Sequence, residues 1–344
     1  MKMKKTAALL MAAVFMLSMT ACTTQKETPA AASSANTDAQ TAAGAEAAQD
    51  EGKVYTVGIC QLVQHEALDA ATQGFKDALT EAFGENVVFD EQNASNDSAT
   101  CATIVNQFVA SKVDLIMANA TPALQAAVAS TADIPIVATS ITDYATALDI
   151  SDWTGTTGIN VTGTADLAPL AEQAAMVKEL VPEAKTVGIL YCSAEPNSKY
   201  QAGVVSEELT AMGMQVKDYT FADSNDVMQV TQTAVEGCDV LYVPTDNTVA
   251  SNTEIINGVA EDAGIPIIAG EEGICKGCGI ATLSIDYYSI GYRAGEMAAD
   301  ILANGADPAT MEIDFATELT KKVMTSRCET LGITVPEGYE AIAE

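Results

Sequence analysis

Thr56-Val57-Gly58-Ile59 returns later in the chain as Thr186-Val187-Gly188-Ile189. Around the two copies the sequence keeps step. Gly74, in a helical stretch that reaches Ala82-Phe83-Gly84, is echoed by Gly203 and by Ala211-Met212-Gly213. Ser95-Asn96-Asp97 follows the first of these helices as Ser224-Asn225-Asp226 follows the second. Asp114-Leu115 is matched by Asp239-Val240, and Ile134-Pro135-Ile136-Val137-Ala138 by Ile265-Pro266-Ile267-Ile268-Ala269. One such match carries little. Five in the same order read as two lobes of like topology.

The first series also shows what each lobe is made of. Tyr55–Cys60, Val87–Asp90, Asp114–Ala118 and Ile134–Thr139 are short and β-branched, and read as strands. Ala67–Phe83, Ala99–Ala110 and Pro122–Ser130 are amphipathic and read as helices. Strands alternating with helices predict βαβ units, hence a parallel sheet covered on both faces. The fold class is therefore α/β, with two doubly wound parallel-sheet lobes.

In open parallel sheets, ligands bind beyond the carboxyl ends of the strands, where loops and helix N-termini converge. The sequence turns polar at those points. In the first lobe they supply Gln61 and Glu66, then Asn93, then Thr121, then Thr139 and Ser140. In the second they supply Tyr191, Ser193, Asn197 and Ser198, then Asp246 and Asn247, then Glu271, then Asp286. Taken singly, each is explained by capping or turn chemistry. As a set lying on one edge of each sheet, they are candidate ligand-binding residues of a cleft between the lobes.

The chain ends and the composition narrow the class. Lys2, Lys4 and Lys5 precede a mostly apolar run, Thr6–Met19, which has the form of a signal peptide and is too short for a spanning helix. It closes on Leu17-Ser18-Met19-Thr20-Ala21-Cys22, which resembles a bacterial lipobox, with Ser18 and Met19 where the motif has its Leu. Cys22 is the expected lipidation site. Residues 22–52 would then be a flexible tether of Ala, Thr, Ser, Gln and acid, without apolar periodicity. Sixteen basic residues face 47 acids, a net charge of −31. No basic stripe exists to neutralise phosphates, so no nucleic acid is expected as a partner. His65 is the only histidine, and no GxSxG, P-loop or full GxGxxG is present, which argues against an enzyme. Beyond Cys22 lie Cys60, Cys101, Cys192, Cys238, Cys275, Cys278 and Cys328, an odd number that argues against a complete disulfide framework. Cys275-Lys276-Gly277-Cys278 has CxxC spacing without a second pair, and reads as a local disulfide or two loop thiols. Neither metal nor cofactor is expected.

Several longer stretches resemble a known family. His65-Glu66-Ala67-Leu68-Asp69-Ala70 leading to Gly74-Phe75, Ala120-Thr121-Pro122-Ala123, and Tyr242-Val243-Pro244-Thr245-Asp246-Asn247-Thr248-Val249-Ala250-Ser251 are the strongest. Ala269-Gly270-Glu271-Glu272-Gly273, Ala281-Thr282-Leu283-Ser284-Ile285-Asp286-Tyr287-Tyr288 and Gly291-Tyr292 add to them. Together they resemble the ABC-transporter substrate-binding lipoproteins of the periplasmic-binding type I fold, in the branch associated with tryptophan and tyrosine uptake. The resemblance covers nearly all of residues 53–344.

It implies an extracytoplasmic, lipid-anchored, monomeric solute-binding component of an ABC importer. The implied partners are a small solute, favouring an aromatic amino acid, and the cognate permease and ATPase. An α-carboxylate would suit the helix N-termini after Thr121 or Ser198. An α-ammonium needs an acid, Asp246 first, with Glu271 or Asp286 behind it, while Tyr191 could offer an aromatic face. The lobes should join through three hinge crossings near Asn160–Thr164, Asp286–Tyr288 and Glu312–Phe315. That divides the chain into 1–21 signal peptide, 22–52 tether, 53–162 plus 284–315 N-terminal lobe, and 163–283 plus 316–344 C-terminal lobe. The alternative on the same fold is a binding protein that senses a signal molecule or nucleoside for a membrane receptor.

Overall fold

A computed structural model describes residues 52–343. The expected signal peptide, Cys22 and the tether through residue 51 lie outside the described residues.

The chain first builds β1 (Tyr55–Gln61), α1 (Glu66–Phe83), β2 (Val87–Asn93), α2 (Ser98–Ser111), β3 (Leu115–Asn119), α3 (Thr121–Ser130), β4 (Ile136–Ile141), α4 (Tyr144–Leu148) and β5 (Val161–Ala165). It then enters a second sheet through α5 (Leu170–Leu180), β6 (Thr186–Cys192), α6 (Pro196–Ala211), β7 (Gln215–Phe221), α7 (Val227–Gly237) and β8 (Val240–Val243). There follow α8 (Asn247–Ala250), α9 (Thr253–Ala263), β9 (Ile267–Ala269), α10 (Glu272–Cys278) and β10 (Ala281–Ile285). The chain returns to the first lobe with α11 (Tyr287–Asn304) and β11 (Asp314–Phe315). It crosses a last time into β12 (Leu319–Val323), α12 (Thr325–Leu331) and β13 (Glu340–Ala341).

The sheet orders are β2-β1-β3-β4-β5-β11 and β7-β6-β8-β9-β10-β12-β13. The two lobes thus repeat one topology, as the doubled sequence predicts. Pairing is parallel except where β12 runs antiparallel to β10. A strand arriving directly from a crossing has no helix to turn it round, so it enters the sheet reversed.

Burial follows the strand alternation. Val57 and Ile59 of β1 pack with Phe75 and Leu79 of α1 and with Ala294 and Ala298 of α11. Cys60 faces the other way, into a cluster with Ile104, Val105 and Phe108 of α2. Gly58 lies on that second face, where a Cβ would come within 2.6 Å of the Phe108 ring. Gly188 is bare for the same reason, since a Cβ there would lie 2.8 Å from Leu241 Cδ2. The repeated Thr-Val-Gly-Ile is therefore a packing motif: the bare residue lets a bulky side chain close on the strand.

Two expected lobe boundaries move. β5 continues past residue 162, because Gly163 pairs with Ala138 and Ala165 with Ile141, so the first crossing is Asp166–Pro169. β10 continues past residue 283, because Ser284 pairs with Thr320 and Ile285 with Leu319, so the second crossing is at Asp286. The third runs between Phe315 and Leu319. The CxxC cysteines are not in a loop. Cys275 and Cys278 lie on α10, buried, and all seven cysteines among the described residues are free thiols.

Candidate ligand-binding site

The carboxyl edges of the two sheets face each other, and polar residues crowd there. On the first lobe the pairing of β4 with β5 slips between Ala138 and Ile141, a bulge that takes in Thr139 and Ser140. Ser140 adopts φ 57°, which is uncommon for a residue with a Cβ. Bulges re-aim side chains beside functional sites. Here the result is that Ser140 is buried with its hydroxyl unpartnered. Thr139 instead accepts from the Thr164 hydroxyl at 2.9 Å.

Asp166 begins the first crossing. Its carboxylate is 4% exposed; Oδ2 accepts from the Tyr287 hydroxyl at 2.8 Å, and Oδ1 has no partner. Burial raises its pKa, and the Tyr287 and Thr142 hydroxyls beside it draw it back. Among the described residues no lysine or arginine forms a salt bridge with it. From the second lobe, Gln201 of α6 donates across the cleft to the Thr142 hydroxyl at 3.4 Å. Gln201 also clasps Thr245, accepting its amide at 3.0 Å and donating to its carbonyl at 3.2 Å. Asn197 donates to the same carbonyl at 3.1 Å, and its own Oδ1 is unpartnered. Tyr287 lies beside Thr245 in turn. Asp166, Thr142, Gln201, Thr245 and Tyr287 therefore form a ring through both lobes. Three buried polar atoms without partners, on Ser140, Asp166 and Asn197, lie on it or next to it. Such atoms are costly to leave unmade, so a site that holds three together is suited to a polar ligand.

A second set of contacts closes the mouth. His65 Nε2 donates to Asn247 Oδ1 at 3.3 Å, and Asn96 donates to the Thr248 hydroxyl at 2.9 Å. Glu66 pairs with Lys276 at 3.3 Å on the exposed side. Glu195 holds the second-lobe half of this latch. Its buried carboxylate accepts from the amides of Asn247 and Thr248, from Asn247 Nδ2 and Asn197 Nδ2, and from the Thr248 hydroxyl.

The acids expected to hold a cation do other work. Asp246 is 1% exposed, and both its oxygens are engaged within its own lobe, by Val249 N at 2.8 Å and Cys192 N at 2.7 Å. Burial and the neighbouring Glu195 charge raise its pKa. Glu271 accepts Gly273 N and Ile274 N at the start of α10, and burial pushes it up to about 7. Asp286 is exposed and accepts the Ser289 amide at the start of α11. All three are helix caps.

Other expected residues also divide. Ser140, Asn197 and Asn247 line the cleft, with Ser198 buried beside Asn197. Thr121 is buried at the start of α3. Gln61 is spent inside its lobe, donating to Val63 O and Asp69 and accepting from Thr72. Asn93 makes a turn with the Ser95 amide, and Ser193 bonds Phe221 O. Tyr191 is half-buried, packed against the second-lobe core near Asp218. Asp166, Gln201, Thr142 and Tyr287 were not expected as site residues. Asp166 carries a readable signal: it is the acid that ends Val161-Thr162-Gly163-Thr164-Ala165, as Asp286 ends β10.

The family described as ABC transporter substrate binding protein matches residues 56–344. A tyrosine-binding protein of Clostridioides difficile is 40% identical over 256 residues, which is 74% of this chain and 74% of that protein. Among solved structures, the ABC domain from Streptococcus pneumonia in complex with L-Trp superposes with a TM-score of 0.80 at 30% identity, over 84% of this chain and 100% of that one. The ligand-free, open structure of a substrate binding protein from Clostridium difficile is 38% identical over 84% of this chain and 99% of that one, with a TM-score of 0.64. The more similar sequence superposes less well.

Proposed function

This chain belongs to the ABC transporter substrate binding protein family, and we propose that it captures an aromatic amino acid in the cleft between its lobes for a cognate permease and ATPase. The tyrosine-binding relative and the L-Trp complex support the ligand class. The observation that carries the site is Asp166 Oδ1, a buried carboxylate oxygen with no hydrogen-bond partner among the described residues. A desolvated carboxylate left unpaired is strongly disfavoured, and a ligand ammonium supplies the missing charge. The Ser140 hydroxyl, near the N-terminus of α3, suits the ligand carboxylate, since helix N-termini attract anions. In this reading the chain works outside the cytoplasm, held at the membrane by lipid on Cys22 after removal of residues 1–21. No helix among the described residues is long and apolar enough to cross a membrane.

Calorimetry on the purified protein tests this with L-tyrosine, L-tryptophan, tyramine and 3-(4-hydroxyphenyl)propionate. Both amino acids should bind with one site per chain. Tyramine should retain part of the affinity, and the propionate, which lacks the ammonium, should bind least. Asp166→Asn should cost on the order of 2–5 kcal/mol, as breaking a desolvated charge pair does. Failure of every aromatic amino acid to bind refutes the ligand class, while equal binding by Asp166→Asn refutes the anchor.

A further inference from the structure

We propose that Tyr287 is a positioning residue for ligand capture: its hydroxyl orients Asp166 as a carboxylate and ties that anchor to the hinge. The inference rests on the reading of Asp166 as the ammonium anchor. Asp166 opens the first crossing between the lobes, and Tyr287 opens α11 immediately after the second. Their hydrogen bond of 2.8 Å therefore joins two of the three hinge strands through the one residue that would touch the ligand's charge. Both side chains are buried, so water does not compete for the bond.

The division of the carboxylate is specific. Oδ2 is held by Tyr287 and Oδ1 is free. A fixed donor on one oxygen leaves the other aimed in one direction, which is what a single ammonium contact requires. The same donor favours the ionised form against the burial that opposes it.

The titratable groups packed around the pair assign this role to Tyr287. Tyr144 of α4 is close to Asp166, but its hydroxyl donates to the carbonyls of Ala138 and Thr164. Glu271 of α10 lies beyond Tyr287, raises the tyrosine's pKa, and has both oxygens on its own helix. Neither can replace the Tyr287 hydroxyl. On its other side Tyr287 meets Thr245 of the second lobe, so the anchor, the hinge and the facing lobe share one phenol.

Tyr287→Phe removes the hydroxyl and keeps the ring. The test measures L-tyrosine affinity across the acid-to-neutral range for the full chain, Tyr287→Phe, Asp166→Asn and the double variant. At neutral pH Tyr287→Phe should weaken binding on the order of tenfold, the value of a hydrogen bond to a charged group. Its loss of affinity on the acid side should begin at higher pH than in the unsubstituted chain, because Asp166 loses one of the two hydroxyls that draw its pKa down. In the Asp166→Asn background the same change should alter affinity by about twofold or less, since the two residues act as one unit. A loss equal at every pH, or equal in both backgrounds, overturns the proposal and makes Tyr287 a packing residue. Unchanged binding by Asp166→Asn alone fails the anchor itself, a separate result that takes the proposal with it.

Discussion

Asp246, Glu271 and Asp286 each precede a helix and each accept the amide three residues on, from Val249, Ile274 and Ser289. An acid at the end of a strand is thus ambiguous: the same position serves as a helix cap or as a ligand anchor, and only the direction of the oxygens separates the two. Asp166 differs because the chain after it runs through Pro169 before α5 begins, so no nearby helix amide claims its carboxylate. Residue type and position were legible in the sequence, but orientation was not, because it depends on which helix follows and how soon. The caps have a pH signature. Burial holds Glu271 at about 7, above the roughly 4.3 of a free glutamate. A raised folded-state pKa means that stability from this group is full below the unfolded value and is lost as pH rises through about 7. Glu271→Gln should destabilise most near the free-glutamate pKa, with the deficit shrinking by on the order of 2 kcal/mol towards neutral pH. Urea unfolding at several pH values checks the slope, and a deficit that grows with pH would contradict the assignment.

At the level of elements, α11 and α1 form a pair packed backbone to backbone. Gly74 faces the Tyr288 carbonyl and the Tyr292 amide, and Gly291 faces the Ala71 carbonyl, with no room for a Cβ at either. The closeness holds α11 on the first lobe although its first residue follows directly from a strand of the second. Gly291→Ala should cost about 1–3 kcal/mol by overpacking, read in urea melts. It should also weaken L-tyrosine binding, because Tyr287 sits one turn away on the same helix. The sequence shows both the reach and the limit of repeat reading. The echo of Gly58 in Gly188 reports the same packing constraint in both lobes, and the strand and helix series follows it closely. The echo of Gly74 in Gly203 does not, since Gly203 has open space around it. In the second lobe α5 packs on α6 through Ala174 and Val177 in one core cluster with Ala202, Val205 and Leu209, and nothing closes on Gly203. β5 escaped notice as a strand because all five of its residues are buried, so Val161-Thr162-Gly163-Thr164-Ala165 carries no alternation, and Asp166 was missed with it.

For the whole molecule, function depends on the balance between open and closed lobes. The contacts at the mouth are polar and partly solvated: His65 with Asn247, Asn96 with Thr248, Glu66 with Lys276. Contacts of that kind contribute roughly 1 kcal/mol or less each. They cannot close the lobes alone, so the ligand must supply the difference in affinity between the two states. His65 isolates the latch from the site. It precedes α1 without capping it through its side chain, and its bond to Asn247 crosses the cleft. Removing the imidazole should therefore leave the unliganded fold intact and act on closure. Burial lowers the His65 pKa, opposed by the Asn247 bond and by Glu195 and Asp69. A base whose pKa is lower in the closed form favours closure above its open-state value, roughly 6.5, and loses that contribution as pH falls through the closed-state value. His65→Ala should raise the dissociation constant for L-tyrosine by a few-fold, chiefly through faster release, since contacts formed on closure act on the off-rate. The substituted chain should also lack the part of the affinity loss that His65 contributes as pH falls. Stopped-flow release and calorimetry on either side of that pH decide it. A variant with unchanged release, or with the full acid loss retained, would place the control of closure at the hinge and the ring around Asp166 instead of at the mouth.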